Sequence, residues 1–165
     1  MLKKIAFSLH INIDVLKKSQ NLIINHITMS RGYRNNNPLN IIRNSDKWEG
    51  LRAEQTDYKF FQFKSMAYGY RAAFITLNTY REKYGCVSLA DYIRRWAPPC
   101  ENDTNSYINF VAQRSGLADV SVIDTTNKEQ MVKIVAAMAR MENTADPDIE
   151  PILQGWELFT KDRLI

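Results

Sequence analysis

SMAYGYRAAFITLNTYREKYG, residues 65–85, decides the fold class, because the hydrophobic period changes there. Tyr70, Phe74, Leu77, Tyr80 and Tyr84 recur at spacings of three and four, which places them on one face of a helix, and Gly85 supplies a residue suited to a left-handed stop. Upstream, residues 31–65 read as non-helical. Asn35, Asn36, Asn37 and Pro38 form a turn cluster, since Asn tolerates positive φ and Pro38 restricts the residue before it. Residues 40–42 and the aromatic run Tyr58-Lys59-Phe60-Phe61-Gln62-Phe63 read as short strands, with Trp48-Glu49-Gly50-Leu51 between them. Downstream, Ser88-Leu89-Ala90-Asp91 is close to a capping box and opens a short helix that Pro98-Pro99 ends. Asp103 or Thr104 caps the next helix, which stops at Gly116. Asn127 opens another, with Met131, Ile134, Val135, Met138 and Met141 in a stripe. A last helix after Asp148 carries Ile149, Ile152, Leu153, Trp156 and Phe159. The expectation is one α+β domain, mainly helical, with a small N-terminal antiparallel sheet followed by about five helices.

The chain has 165 residues, which suits one domain with a core of its own. No apolar run approaches the ~18 residues that span a bilayer. Two cysteines, Cys86 and Cys100, do not make a disulfide framework. Residues 1–95 carry 16 Lys and Arg against 7 Asp and Glu, whereas residues 96–165 carry 6 against 11. A basic half suits either a polyanionic partner or a plain solvated face. In residues 1–28, Lys3-Lys4 followed by Ile5-Ala6-Phe7 has the opening of a signal peptide. His10, Asn12 and Asp14 interrupt it, and no small-residue cleavage site follows. The functional domain is expected to span 29–165, with 1–28 as an extension. Without Lys3, Lys4, Lys17, Lys18 and Asp14 the net charge of +4 falls to about +1, so a polyanion would have to find the local cluster from Arg31 to Lys64.

No phosphate-binding loop, dinucleotide fingerprint, HExxH, CxxC pair or GxSxG occurs, and both histidines, His10 and His26, lie in the extension. No cofactor or metal is therefore expected. What remains is carboxylate chemistry, recognition by aromatic and amide groups, or no chemistry. Tyr33, Asn35, Asn37, Trp48, Glu49 and Tyr58 crowd one stretch. Glycan clefts use this set: aromatic faces stack on the apolar side of pyranose rings, amides bond hydroxyl and N-acetyl groups, and a carboxylic acid held protonated cleaves the bond. Glu49, Glu54 and Asp57 read equally well as solvated charges. In the second cluster, Trp96-Ala97-Pro98-Pro99-Cys100-Glu101-Asn102-Asp103-Thr104, the acids Glu101 and Asp103 suit capping, or Trp96, Glu101 and Asn102 line a cleft.

The ordered series Arg31-Gly32-Tyr33-Arg34-Asn35-Asn36-Asn37-Pro38-Leu39-Asn40-Ile41, Trp48-x-Gly50, Asp57-x-x-Phe60-x-x-Phe63, Gly69-x-Arg71-Ala72 and Trp96-Ala97-Pro98-x-x-Glu101-Asn102-Asp103-Thr104-x-x-Tyr107 spans about residues 30–118. It resembles a phage and prophage family common in gut Bacteroidetes, whose members are often labelled virion structural proteins. That family looks related to the lysozyme-like superfamily, and the motif order is also similar to wall-cleaving glucosaminidases. The resemblance implies a lysozyme-like fold, peptidoglycan glycan strands as substrate, other virion proteins as partners, and a lytic transglycosylase or muramidase activity. With no signal peptide, the protein is expected to stay in the cytoplasm until phage assembly or lysis, or to ride in the virion. The carry-over stops at the acid. The superfamily's glutamate ends a helix upstream of the Asn-rich motif, and residues 1–39 here contain no Glu. The expected acid is then Glu49, with Glu101 second, and Tyr33, Asn35, Asn37, Trp48, Tyr58, Trp96 and Asn102 as cleft residues. A non-catalytic virion or wall-binding protein is the alternative. A weaker one is a nucleic-acid surface of Arg31, Arg34, Arg43, Lys47 and Arg52 beside the aromatics.

Overall fold

The helical period that begins at Ser65 becomes a 19-residue helix, and the chain is mainly helical from there on. The computed structural model describes residues 29–100 and 103–161. Expectations for residues 1–28, Glu101 and Asn102 fall outside them. The chain divides into two units, Met1–Ser30 and Arg31–Ile165, and the second is described here. Among the described residues it holds six helices: α1 Arg31–Arg34, α2 Met66–Tyr84, α3 Leu89–Trp96, α4 Thr104–Ser115, α5 Lys128–Asn143 and α6 Ile149–Lys161.

Local chemistry sets the helix ends. Gly85 takes a φ of 66° and closes α2. Ser88 and Asp91 form a reciprocal capping box at α3, in which the Ser88 hydroxyl accepts from Asp91 N and the Asp91 carboxylate accepts from Ser88 N at 2.8 Å. Asp103 caps α4 through Ser106 N, and Asn127 caps α5 through Gln130 N. Gln130 reaches past that cap to accept from Asp124 N at 2.6 Å.

α2 and α6 pack closely, because Gly155 leaves no side chain between them. A Cβ there would lie 2.6 Å from Tyr70 Cβ and 2.9 Å from the Ala67 carbonyl oxygen. Beside this contact Phe74, Trp156 and Phe159 form a triangle of rings, with Phe74 edge-on to Trp156 at 5.1 Å. Each such ring pair contributes about 1 kcal/mol beyond the area it buries. Met131, Ile134, Val135 and Met138 of the α5 stripe are buried as expected for core, whereas Met141, expected in the same stripe, is exposed.

The expected N-terminal antiparallel sheet is absent among the described residues, and residues 31–34 form the short α1 where an irregular segment was expected. Residues 40–63 make only isolated antiparallel bridges, Ile42 with Phe60 and Leu51 with Phe63. Side-chain amides explain why. Phe61 N donates to the Ile41 carbonyl, and a ladder would complete that pair with Ile41 N donating to the Phe61 carbonyl. Asn37 intervenes instead: its Oδ1 accepts from Ile41 N and its Nδ2 donates to the Phe61 carbonyl, both at 2.9 Å. Gln55 does the same one pair further on. Its Oε1 accepts from Gln62 N at 2.8 Å and its Nε2 donates to the Arg52 carbonyl at 3.0 Å. Phe61, Gln62 and Phe63 are all buried in succession, so the aromatic run lacks the alternation of a strand with one wet face.

The start of this segment is tied to its end by Asp57. Its largely buried carboxylate accepts from Arg31 Nε and Nη2 at 2.8 and 2.7 Å, from Asn35 Nδ2 at 2.7 Å, and from the backbone N–H groups of Lys59 and Phe60 at 2.9 Å. The Arg31 guanidinium, followed by these other donors, holds the carboxyl well below the usual carboxylate range.

A carboxyl whose folded pKa is depressed stabilises the fold above its unfolded value, near 4, and loses that stabilisation as pH falls below it. Urea midpoints should therefore drop between about pH 5 and about pH 2 in the wild type. Asp57→Asn should be less stable at pH 7 and show a shallower drop; an unchanged acid slope would show that Asp57 is not a source of it. Asn37→Ala leaves Ile41 N and the Phe61 carbonyl without these partners and should cost about 3 kcal/mol in denaturant titration. Tyr58→Ala, at a side chain 83% exposed, should cost less than about 1 kcal/mol.

Candidate functional site

A cleft of about 550 Å³ opens where the amide-stitched segment meets α2, α3 and the end of α5. Its aromatic lining comes from Trp48 and Phe60 on that segment, Tyr80 and Tyr84 on α2, and Trp96 on α3. Its charged lining is Asp46, Lys59, Arg95 and Glu142.

Trp48 is placed by the turn that follows it. Gly50 has a φ of 74° and lies flat on the Tyr68 ring of α2, where a Cβ would come within 2.1 Å of Tyr68 Cγ. This lets Trp48 pack against Phe61, Phe63 and Ala72. Its Nε1 is buried and has no hydrogen-bond partner among the described residues. Trp96 ends α3 just before the prolines and packs on Tyr80, with ring centroids 6.4 Å apart.

Glu142 is the penultimate residue of α5 and is half-buried. Tyr107 Oη donates to its Oε1 and Asn40 Nδ2 donates to its Oε2, each at 3.0 Å. Burial, with the neighbouring Glu142 charge, pushes the Tyr107 phenol far above its ordinary range, so it stays protonated and donates. The next residue, Asn143, is buried and donates from Nδ2 to the Pro38 carbonyl at 2.6 Å and to the Ala139 carbonyl at 2.8 Å. Gly32 makes room for it: a Cβ at that position would lie 2.5 Å from Asn143 Oδ1. The end of α5 is thus clamped to the Asn-rich loop, and the clamp sets a fixed carboxyl group in an aromatic-walled cleft.

The sequence-predicted residues divide. Trp48 and Trp96 line the cleft. Tyr33, Asn35, Asn37, Glu49 and Tyr58 are not among its lining residues. Asn35 and Asn37 are buried, with amides committed to Asp57, Gln62, Ile41 and Phe61. Tyr33 is half-buried and its hydroxyl reaches the Ala145 carbonyl at 3.5 Å; burial raises its pKa. Tyr58 lies under the Arg31 guanidinium, 4.6 Å from ring centroid to Cζ. Glu49 has a side chain 57% exposed and pairs with Arg71 at 3.2 Å. Glu142 escaped the sequence reading because its helix reads as core from the Met stripe, and the acid was sought at Glu49 and Glu101. A signal was present: Glu142 stands four residues after Met138, at the next turn of the buried α5 stripe, where an apolar residue would continue the pattern.

Among the described residues, no group of three or more His, Cys, Asp or Glu is arranged to hold a metal ion, and no helix is long and apolar enough to cross a membrane. Cys86 is buried and Cys100 is exposed, both as thiols.

No family model matches the chain. It is similar to Protein P5 of Pseudoalteromonas phage PM2, with 42% identity over 132 residues that cover 78% of this chain and 81% of that protein. The similarity supports the phage part of the resemblance read from the motifs; the name carries neither a lysozyme-like label nor a Bacteroidetes source. At this identity and coverage, the chain belongs to the phage protein family that includes Protein P5.

Proposed function

We propose that this phage protein binds the glycan strand of peptidoglycan in the aromatic cleft and cuts it as a lytic transglycosylase, with Glu142 as the catalytic carboxylic acid. The observation that carries the reading is the Glu142 carboxyl, held by Tyr107 and Asn40 within a cleft walled by Trp48, Phe60, Tyr80, Tyr84 and Trp96. Indole and phenol faces suit the apolar faces of pyranose rings, and Asn40 holds the acid in place.

The chemistry needs one carboxyl group. Protonated Glu142 gives its proton to the glycosidic oxygen as the bond from the anomeric carbon breaks. The resulting carboxylate then takes the proton of the muramyl 6-hydroxyl as that oxygen closes on the anomeric carbon. The product ends in a 1,6-anhydro sugar and the acid is regenerated. Asp46 also lines the cleft, but it is exposed and accepts from Asn44 Nδ2 at 2.8 Å. In this scheme it has no proton to move.

Incubation of the full chain with purified peptidoglycan should release soluble fragments with 1,6-anhydro ends. Glu142→Gln should slow release about 10²- to 10⁴-fold, the usual contribution of a general acid, while its urea midpoint shows that it folds. Glu49→Gln should stay within about twofold of wild type, because that side chain is outside the cleft lining. Failure of the wild type to release fragments would overturn the enzymatic reading in favour of a wall-binding or virion structural role. Reducing ends in place of anhydro ends would show hydrolysis and give Asp46 the water-activating role.

A further inference from the structure

Two cations on the cleft lining have no carboxylate partner among the described residues, and each rests on an aromatic ring. Arg95 places its Cζ 3.2 Å from the Tyr84 ring centroid and 5.0 Å from that of Tyr80. Lys59 Nζ lies 5.2 Å from the Phe60 centroid. Stacking occupies the face of a guanidinium and fixes its plane, which leaves its in-plane N–H edge free to grip a carboxylate with two parallel bonds.

Arg95 also borders a second hollow of about 470 Å³, lined by Tyr80, Cys86, Asp91, Arg94, Arg95 and Pro98. Tyr80 and Arg95 belong to both linings, so the two spaces adjoin at the Arg95 side chain. The carboxylate of Asp91 is already engaged there by the N–H groups of Ser88 and Val87 and by Arg94 at 3.9 Å. Among the described residues, the cation at the junction without a carboxylate partner is Arg95.

We propose that this hollow receives an acidic branch of the strand lying in the main cleft, and that the Arg95 guanidinium binds the carboxylate of that branch. The proposal rests on the glycan reading above and deepens it. A neutral sugar chain offers this arginine only hydroxyl and carbonyl acceptors, whereas a strand bearing short acidic peptides offers a carboxylate that it can grip with two charge-assisted bonds. Lys59 adds positive potential along the same cleft.

The test is calorimetric titration of the full chain with a soluble disaccharide-peptide fragment of peptidoglycan, and with the same fragment after its carboxylates are converted to amides. Amidation should weaken binding to wild type about tenfold, the scale of one charge-assisted pair. Arg95→Gln should bind the free-acid fragment about tenfold more weakly and make the two fragments equal, while Arg95→Lys should restore part of the difference. Equal binding of both fragments by wild type, or an Arg95→Gln variant that still discriminates, would overturn this proposal and leave the glycan reading standing. Binding of neither fragment would overturn both. Binding of a single-stranded DNA oligonucleotide in their place, lost in Arg95→Gln and falling with salt, would replace the acidic branch with nucleic-acid phosphates.

Discussion

The rest of the site depends on one short hydrogen bond, from Asn143 Nδ2 to the carbonyl of Pro38. It is buried, and it joins the last residue of α5 to the Asn-rich loop near the start of the described chain. A buried bond of this kind is worth only about 1 kcal/mol net, but leaving either group unpaired costs up to about 3 kcal/mol. That asymmetry makes the junction specific: any shift of α5 along its axis strands the Pro38 carbonyl. Gly32 and Asn40 are fitted to the same junction, one by having no side chain and the other by reaching Glu142. The position of Glu142 follows from the clamp, and the cleft acquires its half-buried carboxyl from the same geometry.

The opposing wall is built by a different device. Residues 35–63 satisfy their backbone largely through Asn36, Asn37, Gln55 and Gln62, whose amides stand where sheet partners would stand. A side-chain amide carries two N–H donors and a carbonyl acceptor, so it can stand in for a peptide group in a ladder without leaving orphans. The result is a rigid irregular wall that needs no regular strands. Asp57 closes it at the other side with five donors on one carboxylate.

This explains what was legible in the sequence and what was not. The five longer helices were legible because each carries its own period and its own end: Gly85, Ser88 with Asp91, Asp103, Gly116 and Asn127 act within a few residues of themselves. The segment before them was not. Asn37 and Gln55 read as turn and loop residues, and their competition with backbone pairing shows only when partners distant in sequence are present. Trp48 and Trp96 were legible as cleft residues from their chemistry. Asn35 and Asn37 share that chemistry, yet they are consumed in building the wall. Glu142 lay in plain view in a helix taken for core, and what singles it out is contact with Asn40, 102 residues earlier.

That separation has a consequence for the order in which the protein is made. The Asn-rich loop and the aromatic residues of the cleft leave the ribosome first, and Glu142 follows Asn40 by 102 residues. A nascent or truncated chain ending before α5 carries the stacking surface without the Glu142 carboxyl. Long-range closure of this sort forms late, because the loop entropy must be overcome before the contact repays it. In this topology the Glu142 carboxyl joins the cleft only after every aromatic residue of its walls has been made.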